Sequence, residues 1–110
     1  MAGPSRRPES CVWCGRQVPD AGMGRRRRYC RQSCRQRAYE QRVAVKGTAI
    51  APDAVVLTAD EATAVMDRMF EVRCAAEDVA TAAAESASPA ELAALCATLL
   101  ELAREAERLR

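Results

Sequence analysis

Six cysteines and no histidine set the chemistry open to this chain. Four of the six are clustered: Cys11-Val-Trp-Cys14-Gly15, then fifteen residues after Cys14, then Cys30 and Cys34. Thiolate sulfur is a soft ligand, and two close pairs with such a spacer can place four sulfurs about 2.3 Å from one tetrahedral Zn2+. The first pair is a knuckle, whose turn aims two thiolates and backbone N–H groups at one point. The second pair, at i and i+4, shares one face of a helix start. The pattern predicts one structural Zn2+ on Cys11, Cys14, Cys30 and Cys34, because four protein ligands leave no open position for catalysis. A module this small cannot fold on its own core, so the metal would be its folding free energy. An iron–sulfur cluster is the closest alternative, and disulfides or free thiols are the others; a knuckle followed by a helix pair fits zinc better.

Without histidine there is no Ser-His or Cys-His nucleophile pair and no imidazole acid–base group. Asp67 with Glu71, and Glu77 with Asp78, read as helix-surface acids rather than a convergent pair. The expectation is a protein that is not an enzyme and has no small-molecule substrate. Cys74 and Cys96 have no partners at ligand spacing and read as small thiols on helices.

The second cysteine pair lies in RRRRYCRQSCRQRAYEQR, residues 25–42, of which eight are arginine. Residues 1–46 carry twelve basic and three acidic residues, about +9, whereas residues 47–110 carry five and twelve, −7. Arginine-rich coding would enrich both halves, so the asymmetry argues for a basic module that meets a polyanion. Zn2+ with four thiolates has a formal charge of −2, which accounts for a few of these arginines. On a helix from about Arg31, Cys34, Ala38 and Gln41 or Val45 face the metal, while Arg31, Arg35, Tyr39, Arg42 and Lys46 line another face. With Arg25, Arg26, Arg27 and Arg28 they form a candidate nucleic-acid surface, since guanidinium forks grip phosphate. The opposing reading is a solvated basic face, in which Tyr39 is a packing residue rather than a stacking platform.

CxxCG, the arginine-rich stretch and RRYC-x-x-x-CRQRAYEQR together resemble the small treble-clef fingers of bacterial proteins, the group that includes CGNR-type and FCS/MYM-like fingers. The resemblance covers residues 11–42 and departs from the CGNR pattern at Cys34-Arg35-Gln36-Arg37. It implies a knuckle, a β-hairpin across roughly Gln17 to Tyr29, and a helix that begins near Cys30 to Cys34. It also implies a role in binding nucleic acid or in holding proteins together.

These features require elements to position them. Residues 1–10 read as a disordered lead-in, 11–46 as the four-cysteine finger, 47–57 as a linker, and 58–110 as a helical hairpin. Thr58 with Glu61, and Ser88 with Glu91, fit capping boxes, and Pro89 suits a first helical position. Ala62, Val65, Met69, Val72, Ala76, Val79 and Ala83 recur at steps of three and four, as do Leu92, Leu95, Leu99, Leu102, Ala106 and Leu109. The fold class expected is therefore a small zinc-bound treble-clef or zinc-ribbon finger, with a short β-hairpin and a helix, followed by an all-α antiparallel helical hairpin. Val65, Met66, Met69 and Phe70 give the first hairpin helix a wider apolar face than one partner covers. A homodimer through Val65, Met69, Val72, Leu92, Leu95, Leu99 and Leu102 would cover it; packing on the linker or finger is the alternative.

No run of 18 apolar residues exists and MAGPSRRPES lacks a signal-peptide core, so no membrane partner and a reducing cytoplasm are expected. The function expected is a dimeric zinc-finger nucleic-acid binder, DNA and a regulatory role being favoured. The alternative is an adaptor whose acidic hairpin grips a partner protein. A variant has that hairpin mask the basic finger.

Overall fold

A computed structural model describes residues 8–18 and 27–110, which form three helices: α1 (Gln32–Val45), α2 (Ala59–Ala84) and α3 (Pro89–Ala106). The chain divides into two compact units, Met1–Val56 and Leu57–Arg110.

In the first unit, residues 9–18 turn back on themselves around the CxxCG knuckle. Ser10 and Gln17 pair in an isolated antiparallel bridge, the Cys11 N–H donates to the Arg16 carbonyl at 2.7 Å, and the Val18 N–H donates to that of Glu9 at 2.9 Å. The Gly15 N–H closes the turn on the Cys11 carbonyl at 2.9 Å. Gly15 sits at φ 80, a left-handed conformation glycine adopts without steric cost.

The expected β-hairpin across Gln17 to Tyr29 is corrected: the described residues contain three helices and no strand or sheet, only the Ser10–Gln17 bridge. Both ends of the expected hairpin find other partners. Gln17 takes its partner from the near side of the knuckle, and the Arg28 carbonyl accepts from Val12 N–H at 2.9 Å, so both ends are engaged with the knuckle. Residues 19–26, the middle of the expected hairpin, lie outside the described residues, as do residues 1–7 of the expected lead-in.

α1 is rich in arginine, glutamine and alanine and ends at Val45, with Lys46 as its C-cap and Gly47, φ 82, just beyond. Its buried residues, Cys34, Ala38 and Val45, recur at steps of four and seven on one face. The linker turns back along this helix: Gln41 Nε2 donates to the Ala54 carbonyl at 3.3 Å, and the Thr48 hydroxyl donates to the carbonyl of Val45. Val55 and Val56 remain exposed.

In the second unit Thr58 and Glu61 form a reciprocal capping box at the start of α2. The Ser88 hydroxyl accepts the Glu91 N–H at the start of α3, with Pro89 in the first turn. Ser86 takes a positive φ of 57 in the connecting turn. α2 and α3 pack antiparallel: Arg68 Nη2 donates to the Arg108 carbonyl at 2.8 Å, and Arg110 Nε lies 3.5 Å from Glu61 Oε2, so the end of the chain runs beside the start of α2.

The seam is rotated on α2 relative to the apolar repeat. Val65, Arg68, Val72, Cys74, Val79 and Ala82 are half-buried and Ala75 is the buried residue, whereas Met69, Ala76 and Ala83 are exposed. On α3 the half-buried positions Leu92, Leu95, Leu99, Leu102 and Ala106 fall on the expected stripe.

Candidate metal centre and basic helix face

The knuckle and the start of α1 bring four sulfurs together. The Sγ atoms of Cys11, Cys14, Cys30 and Cys34 all lie within 4.8 Å of one another; Cys14 and Cys30 are 3.5 Å apart, and Cys30 and Cys34 3.7 Å. A tetrahedron with arms of about 2.3 Å has edges of about 3.8 Å, so the four sulfurs are already spaced close to what one ion needs. Cys11, Cys14 and Cys34 are buried, and Cys30 is half-buried. Together with Val18 these form the core of the unit, and Trp13 and Tyr29 pack against it. The cysteines thus make up most of the core, a consequence of having too few apolar residues to build another.

Electrostatics at the cluster favour a cation. Burial pushes the Cys11 thiol up, but backbone hydrogen bonds from Cys14, Cys30 and Trp13 outweigh it and bring the thiol from 9.0 down to about 7. Cys34 moves the other way: burial first, then its hydrogen bond with Cys30 and the charge on Cys11, push it from 9.0 up to about 12. Four thiols this close cannot all ionise unaided, since each thiolate raises the next. A divalent cation at the centre removes that repulsion. Arg31 already offers one positive group, donating a side-chain hydrogen bond to Cys30; that bond and the charge on Cys30 raise its own pKa. Arg31 heads α1 as its N-cap without a side-chain capping bond. It therefore belongs to the cysteine cluster as well as to the basic face.

Compared with family models, curated proteins and solved structures, the chain shows no significant match.

The basic face follows from the same helix. With Cys34, Ala38 and Val45 turned inward, Arg35, Tyr39, Arg42 and Lys46 are all exposed, and Tyr39 is 56% exposed rather than packed. Arg42 Nη1 donates to the Tyr29 hydroxyl at 3.2 Å, which joins the face to the aromatic beside Cys30. Arg27 and Arg28 are exposed next to it in the chain, while Arg25 and Arg26 lie outside the described residues. Val43, also on the outer surface, is 54% exposed and is not signalled by charge counting.

Of the residues expected at a dimer interface, Val65, Val72, Leu92, Leu95, Leu99 and Leu102 are half-buried within the α2–α3 hairpin, and Met69 is exposed. Met66, Met69 and Phe70 form an outward apolar row, 71%, 61% and 56% exposed, with the Arg73 guanidinium 5.2 Å from the Phe70 ring centroid. Cys74, half-buried, is on α2, and Cys96, exposed, is on α3. No helix among the described residues is long and apolar enough to cross a membrane.

Proposed function

We propose that this chain is a nucleic-acid-binding protein whose basic helix is held in place by a structural zinc ion on Cys11, Cys14, Cys30 and Cys34. The observation that carries it is the seating of α1. Cys34 commits its helix face to the sulfur cluster and Ala38 and Val45 are buried on the same face, which turns Arg35, Arg42 and Lys46 outward together. Four thiolates with no histidine or carboxylate select a soft, tetrahedral metal, and zinc suits that set when the role is structural. The metal supplies folding free energy; the chain's own residues supply the contact. Arginine forks grip phosphate oxygens, and the likeness of residues 11–42 to bacterial four-cysteine fingers points to the same role.

The acidic hairpin would join two such modules into a homodimer, so that the second weak contact benefits from effective concentration. The exposed row Met66, Met69 and Phe70 is the face that remains for this, and it equally suits the adaptor reading, in which it takes a different protein.

The experiment is fluorescence anisotropy of a labelled random duplex with the zinc-loaded protein across a salt series. Several phosphate contacts give a log–log slope of about −0.9 each. Charge reversal at Arg35 and Arg42 should flatten it. An unchanged slope would remove α1 from the contact, and no binding of either the duplex or a single strand at the lowest salt would retire the reading.

A further inference from the structure

The face of α1 that carries the positive charge also carries the helix's exposed aromatic ring. Tyr39 and Val43 are both more than half exposed and stand one turn apart. Arg35 lies one turn before Tyr39, Arg42 three residues after it, and Lys46 a turn beyond Arg42, so cations flank the ring along the helix. Arg42 is steadied by its bond to the Tyr29 hydroxyl. The one acid on α1, Glu40, accepts from Gln36 Nε2 at 3.3 Å on the neighbouring face.

This arrangement discriminates between forms of nucleic acid. In a duplex each base is covered above and below by its neighbours, and a protein in the groove meets only base edges. A phenol ring standing among arginines offers its flat face, and only a base freed from its stack can lie against it. Phosphates on either side of that base would fall to the flanking cations. The strong positive charge of the stripe opposes a second copy of the same face.

Resting on the nucleic-acid reading above, we propose that α1 binds unpaired nucleic acid, with one base stacked on Tyr39 and adjacent phosphates held by Arg35, Arg42 and Lys46. Val43 extends the apolar patch beneath the neighbouring sugar or base.

The test compares the zinc-loaded full chain on labelled oligo-dT, oligo-U and a random duplex of equal length, at one low salt concentration. The expected result is tighter binding to the strands than to the duplex. Tyr39→Ala should weaken strand binding roughly five- to hundredfold, and Tyr39→Phe, which keeps the ring, should leave it within about twofold. Because Tyr39 is exposed, the variant should keep its metal and helical circular dichroism, which are checked alongside. The dT and U arms show whether the sugar matters. Equal affinity for strand and duplex, or a Tyr39→Ala variant that binds strands as tightly as the parent, overturns the proposal while leaving polyanion binding in place. No binding to any of the three overturns the nucleic-acid reading as well.

Discussion

Arg42 on α1 donates to the hydroxyl of Tyr29 at 3.2 Å, so the basic face and the segment entering the third cysteine are tied to one another. Tyr29 serves two purposes, since its ring packs against the sulfur cluster and its hydroxyl accepts the arginine. Tyr29→Phe should cost about 0.5–1 kcal/mol, the net worth of one exposed hydrogen bond. Tyr29→Ala should cost more, about 2 kcal/mol, by also removing ring burial. Thermal unfolding of the metal-loaded protein separates them; equal losses would show that the ring contributes nothing.

Each of Cys11→Ser, Cys14→Ser, Cys30→Ser and Cys34→Ser should lose tight metal binding and with it the fold of the first unit. Cys74→Ser and Cys96→Ser should retain one equivalent, because both thiols lie on the hairpin helices. Elemental analysis of the dialysed proteins gives the count, and cobalt substitution reports tetrahedral sulfur by its visible spectrum. Retention of a full equivalent by any of the first four variants would contradict the ligand set.

Metal affinity should fall with falling pH. Cys11, lowered to about 7, is thiolate above that value, and the stability its depressed pKa confers is present above 9.0 and lost as pH drops through about 7. Cys34, raised to about 12, keeps its proton until a cation displaces it, so binding releases protons. Competition with a chelator from about pH 8 to about pH 6 should show affinity weakening throughout. A pH-independent constant would mean that thiolates are not the ligands.

Met69→Asp combined with Phe70→Asp should convert a dimer to a monomer with little loss of helix, because both side chains are exposed on the hairpin. Sedimentation equilibrium across a concentration range reads this directly. A parent chain of concentration-independent monomer mass would favour the adaptor reading.

The sulfur cluster was legible in full, since spacing alone names all four cysteines and α1 follows from the second pair. The caps of Thr58 and Ser88 likewise located α2 and α3, because capping chemistry is local. The face of α2 was not legible by apolarity. Arg68 takes a seam position that Met69 would be expected to hold, its stem half-buried and its guanidinium on the Arg108 carbonyl, and small Ala75 occupies the tightest point. A hydropathy ranking cannot anticipate an arginine that finds a carbonyl forty residues away. The expected β-hairpin failed for a related reason: the Arg28 carbonyl found Val12, a partner distant in sequence that no local turn signal announces.

Binding by the basic face should depend on the metal that organises it. Zinc titrated into metal-free protein beside a labelled oligonucleotide at low salt measures it. Anisotropy should stay near that of the free oligonucleotide without zinc, and rise to a plateau at about one equivalent per chain, as expected for four thiolates around one ion. Equal binding with the metal fully chelated would contradict the account.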